Sequence, residues 1–101
     1  MVASEGAGLG VMYAKRVDKF QPEMCQYLRR RGASVHVLSS VGAGLPDLLV
    51  GWHGRNLLVE LKSPKGRLTL AQRKWIAEWR GQVAVVKSVE ELEELLNVHT
   101  A

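Results

Sequence analysis

Residues 42–62 read GAGLPDLLVGWHGRNLLVELK, and this stretch decides the fold. Two apolar runs flank His53-Gly54, a dipeptide suited to a tight two-residue turn. An acid, Asp47, opens the first run; an acid and a lysine, Glu60 and Lys62, close the second. If His53 and Gly54 are the central turn residues, Trp52 faces Arg55, Gly51 faces Asn56, and Asp47 falls opposite Glu60. Opposed residues share a face, their Cβ atoms roughly 4.5–5.5 Å apart, and Lys62, two beyond Glu60, points the same way. A four-residue loop over 53–56 would set Asp47 opposite Lys62 instead, and an odd-length loop would break the alignment.

Two carboxylates about 5 Å apart repel by roughly 3 kcal/mol at an effective dielectric near 20. Something must offset that. One answer is Lys62, closing a structural ion pair. The other is a divalent cation, for which carboxylates, a backbone carbonyl and waters form the oxygen-rich, partly hydrated shell that Mg²⁺ favours. The spacing leaves both open.

With 101 residues, 47% hydrophobic and 24% charged, the chain is long enough for one folded domain and too apolar for disorder. Residues 1–10, rich in Gly, Ala and Ser, read as a flexible leader, and 11–101 as a single domain. A net charge of +4 makes a polyanion a reasonable partner. One cysteine, Cys25, excludes an internal disulfide, and His36, His53 and His99 lack zinc-binding spacing. With no export signal and no apolar run near the roughly 18 residues of a membrane span, a cytoplasmic location is expected.

A first helix is expected from Asp18, with Phe20, Met24, Tyr27 and Leu28 on one stripe, Pro22 near its start and Gly32 at its stop. Glu23 sits at the stripe's edge, either a first-turn acid favoured by the helix dipole or a carboxylate reaching over the core's rim. Arg29, Arg30 and Arg31 complement the helix end or contact phosphates. Strands follow over 34–38, 47–52 and 55–62. A second helix over 70–80 carries a capping box of Thr69 and Gln72, with Trp75 and Trp79 as core packing rather than a base-stacking platform. A strand over 82–86 and a last helix, opened by a Ser88–Glu91 capping box, complete the chain. The order gives an α/β fold: an αβββαβ core whose central sheet is mixed, the fourth strand parallel to the third, flanked by helices, plus a C-terminal helix.

Pro46-Asp47, twelve intervening residues, then Glu60-Leu61-Lys62 resembles the signature of the PD-(D/E)XK nucleases, and the element order resembles their restriction-endonuclease-like core. More narrowly the chain resembles the VRR-NUC family of that superfamily. The likeness rests on Gln21-Pro22-Glu23, Gly42 to Asp47, Val59 to Lys62 and Leu68 to Trp75. It implies a stand-alone endonuclease, of phage or bacterial type, that hydrolyses DNA phosphodiester bonds with Mg²⁺ or Mn²⁺. It further implies Glu23, Asp47, Glu60 and the Leu61 carbonyl as metal ligands, Lys62 as the group that positions water and neutralises phosphate charge, and Gln72 beside the catalytic hairpin. As a capping-box residue Gln72 needs no such role. Arg30, Lys65, Arg67, Arg73 and Lys74 are candidate phosphate contacts or simply a solubilising surface. Gly44 allows a tight turn before Asp47 or a close approach of DNA. Small family members resemble Holliday-junction resolvases in being homodimers, which implies a four-way junction as substrate. Two rivals remain: a non-catalytic basic DNA-binding subunit, and an α/β interaction module whose strand-end charges are only ion pairs.

Overall fold

The computed structural model describes residues 9–100. Of the leader expected over 1–10, residues 1–8 lie outside the described residues, while Leu9 and Gly10 open α1, Leu9–Arg30. The helix therefore begins well before Asp18, since Met, Ala, Lys and Arg among residues 12–16 are good helix formers. Pro22 lies inside the helix, not at its start, where its ring removes the backbone hydrogen bond to residue 18.

After α1 come β1 (Ser34–Val37), β2 (Leu48–Trp52), β3 (Arg55–Leu61), α2 (Leu70–Glu78), β4 (Val83–Val86) and α3 (Val89–Val98). The sheet order is β1-β2-β3-β4. The first three strands form an antiparallel meander, and β4 runs parallel to β3 after the α2 crossover. This is the mixed α/β sheet the element order predicts.

Alternation along the strands sends Leu48, Val50, Leu57, Val59 and Leu61 to one face. There they are buried with Met24, Cys25 and Leu28 of α1 and Leu92 and Leu96 of α3. The opposite face carries Asp47, Leu49, Leu58 and Glu60, and α2 lies over it. No residue of α2 is fully buried. Trp75 is half-buried and Trp79 46% exposed, so the two tryptophans are not part of the buried core. α2 ends at Glu78, two residues earlier than its pattern suggests. Trp79 turns extended as the C-cap and stacks on Trp75, ring centroids 4.7 Å apart. The pair roofs a cavity of about 380 Å³ above Leu49 and Leu58. At α3, Ser88 caps Glu91, but Glu91 Oε1 accepts from the N–H of Lys87 at 2.7 Å and not from that of Ser88. The reciprocal bond is shifted by one residue.

Candidate active site

The turn between β2 and β3 has two residues, His53 at φ 50° and Gly54 at φ 78°. Both lie in the left-handed region that a type I′ turn requires. Pairing runs Trp52↔Arg55, Gly51↔Asn56, Val50↔Leu57, Leu49↔Leu58 and Leu48↔Val59. One further step sets Asp47 opposite Glu60, on the face away from the core, as the even-length turn predicts.

Asp47 is held at both ends of the residue. Its carbonyl accepts from the N–H of Leu38 at 2.6 Å, and its Oδ2 accepts from the N–H of Leu61 at 2.9 Å. The preceding loop turns through Gly42, Ala43 and Gly44, all at positive φ. Gly44 is packed against α2: a Cβ there would sit 2.6 Å from the Ala71 carbonyl oxygen. The loop that delivers Asp47 is thus locked to the helix that delivers Gln72. On its Cβ side Gly44 meets α2 backbone, so its lack of a side chain serves protein packing.

Glu60 is 1% exposed, the buried charged residue of the described chain. Its Oε2 accepts from Gln72 Nε2 at 3.0 Å and lies 3.7 Å from Lys62 Nζ. Its Oε1 is buried with no hydrogen-bond partner among the described residues. Burial first, and then the charge of Asp47, pushes the Glu60 carboxyl up to about 7, against the opposing pull of Lys62. An acid in that state is short of positive charge.

Gln72 fills both of its candidate roles, one with each end of its amide. Its Oε1 accepts from the N–H of Thr69 at 2.9 Å while Thr69 Oγ1 accepts from the N–H of Gln72 at 3.1 Å, which completes the capping box. The Nε2 end is left to hold Glu60.

These residues fit a divalent cation in part. Glu60 Oε1 needs a cationic partner, and Asp47 stands opposite. The Leu61 carbonyl leaves β3 on the same side as the N–H that binds Asp47, because a strand residue's N–H and C=O point to one neighbour. That makes two carboxylates and one carbonyl, with the rest of the shell left to water and substrate, as Mg²⁺ prefers. Glu23 is exposed on α1, and among the described residues no three His, Cys, Asp or Glu side chains group as a metal site. Phe20 and Tyr27 pack against the core beside Met24, Cys25 and Leu28, and at about 100° per residue they lie roughly 60° and 40° from Glu23, which therefore stands at the edge of the buried stripe. Cys25 of α1 lies near Asp47: its thiol is pushed up by burial, pulled back by Arg29 and raised again by the Asp47 charge.

The expected phosphate contacts divide. Arg67 and Arg73 line an open cleft of about 430 Å³ with Lys62, Gly66, Leu68, Val85 and Lys87. Lys65 is exposed in the turn before it, and Lys74 is exposed on α2 outside the cleft lining. Arg30 is at the hairpin-turn end of the sheet, away from Asp47. α1 leads into β1 at Ser34, which pairs with Gly51 beside the hairpin turn, four residues or roughly 13 Å along β2 from Asp47. Its neighbours Arg29 and Arg31 are engaged within the chain, with the Val35 carbonyl at 3.1 Å and with Glu93 at 3.5 Å. Lys87 is the cleft residue that sequence reasoning missed. Its signal was its place immediately after β4, matching that of Lys62 immediately after β3.

A family model described as the VRR-NUC domain matches residues 16–90, three quarters of the chain. No match was found among the curated proteins or the solved structures.

Proposed function

The chain belongs to the VRR-NUC family, a family of nuclease domains, and from that premise we propose that it is a divalent-metal-dependent endonuclease hydrolysing DNA phosphodiester bonds. The observation that carries this reading is the buried Glu60, set across the hairpin from Asp47, with a Glu60 Oε1 that has no hydrogen-bond donor among the described residues. Asp47, Glu60 and the Leu61 carbonyl would hold Mg²⁺ or Mn²⁺. Bound there, the ion supplies Lewis acidity to the phosphoryl group and acidifies the attacking water.

The chain's own residues do the rest. The Leu61 N–H and the Gln72 amide fix the two carboxylates, so little reorganisation accompanies the reaction. The Lys62 ammonium, half-buried beside Glu60, stabilises negative charge building on the phosphate and orients the water. A purely structural Glu60–Lys62 ion pair accounts for one carboxylate oxygen and leaves the other buried without a partner among the described residues.

A homodimer acting on four-way junctions extends the same proposal. Two sites related by a two-fold axis match the symmetric cuts that a junction needs. The test is cleavage of single-stranded, duplex, flap and four-way-junction DNA with Mg²⁺ or Mn²⁺ and with EDTA, beside Asp47→Asn and Lys62→Ala, with the oligomeric state measured by sedimentation. Wild-type cutting that needs the cation and is lost in both variants supports the reading. No cutting, or equal cutting by the variants, rejects it.

A further inference from the structure

We propose that Lys87 is a second lysine of this site, gripping the phosphate next to the scissile one on the β4 side; the inference rests on the nuclease reading above. The parallel pairing of β3 with β4 places Lys87 there. Register runs Glu60↔Val85 and Leu61↔Val86, and the N–H of Lys62 donates to the Val86 carbonyl at 3.0 Å. One more step sets Lys62 beside Lys87 on the Glu60 face, on strands about 4.8 Å apart. Like charges side by side on neighbouring strands are destabilising, and nothing in the described chain relieves this pair from the Lys87 side.

The surroundings add to the charge. Arg67 and Arg73 line the same cleft, no carboxylate does, and the side chains of Arg67, Arg73 and Lys87 make no hydrogen bond or ion pair with a described residue. Lys62 alone has a counter-charge, Glu60 at 3.7 Å. Lys87 is half-buried rather than fully solvated. A cleft lined by four cations, one of them next to the reacting centre, is complementary to a run of phosphates and not to a single carboxylate. Lys62 serves the scissile phosphate and Lys87 its neighbour, so the strand crosses the ends of β3 and β4 toward the 62–67 turn.

The test is DNA binding in EDTA, followed by fluorescence anisotropy against salt concentration, for wild type, Lys87→Met, Lys87→Arg and Arg80→Ala. Arg80 is an exposed cation outside the cleft and controls for net charge. Lys87→Met should bind about tenfold more weakly at low salt and lower the salt slope by about one counterion. Lys87→Arg should keep the slope, and Arg80→Ala should behave as wild type. Cleavage with cation should show the Lys87→Met loss mainly in KM. A folded Lys87→Met protein with the affinity and slope of Arg80→Ala overturns the inference while wild-type cleavage leaves the nuclease reading standing. A wild type that neither binds nor cuts DNA overturns both.

Discussion

Asp47 and Glu60 face each other across the β2–β3 hairpin, and their environments differ. Asp47 has its carboxylate tied to the Leu61 N–H, whereas Glu60 is buried with one oxygen unpartnered. The pair is a site of excess negative charge built into the fold, and its consequences are measurable without DNA.

The first concerns pH. The Glu60 carboxyl is raised from 4.5 to about 7 in the folded protein. Between those values the native state holds a proton that the unfolded chain has released, so stability falls as pH rises. The metal-free protein should lose on the order of 3 kcal/mol between pH 4.5 and 7 from this group. Urea denaturation in EDTA across that range checks it, and Glu60→Gln should flatten the slope.

Gln72 offers a way to separate capping from site chemistry. Gln72→Glu keeps an acceptor for the Thr69 N–H, so the helix start is preserved, but sets a third carboxylate against Glu60 Oε2. Helix content by circular dichroism should be unchanged, while cleavage should fall about tenfold or more as the geometry of Glu60 is lost. Unchanged cleavage would make Gln72 a cap only.

Gly42 and Gly44 both sit at positive φ, 79° and 82°, but only Gly44 is hemmed in. Gly42→Ala should cost about 1 kcal/mol, the backbone preference alone. Gly44→Ala must also push the Asp47 loop off the Ala71 carbonyl, so about 2 kcal/mol or more is expected, with cleavage reduced because Asp47 moves with the loop. Denaturant midpoints of the two variants give the comparison.

The site was legible in the sequence to the extent that it is built from local rules. A His-Gly turn sets a register, and a register sets which side chains share a face; from these follow Asp47, Glu60 and Lys62. The Thr69 and Gln72 pair was equally readable, because a capping box is a short-range pattern. The rest depends on contacts that no local pattern encodes. Trp79 left its helix to stack on Trp75. Arg30 ends up at the hairpin turn because α1 enters the sheet there. Lys87 became a neighbour of Lys62 only through the parallel crossover, a pairing between residues distant in sequence.

The central claim, that Asp47 and Glu60 together hold a divalent cation, is tested most directly by thermal unfolding at pH 8 with and without Mn²⁺. Wild type should be stabilised by about 2.7 kcal/mol at a hundredfold excess over Kd, and Asp47→Asn and Glu60→Gln should show no rise. Equal stabilisation of all three proteins, or none of the wild type, would contradict it.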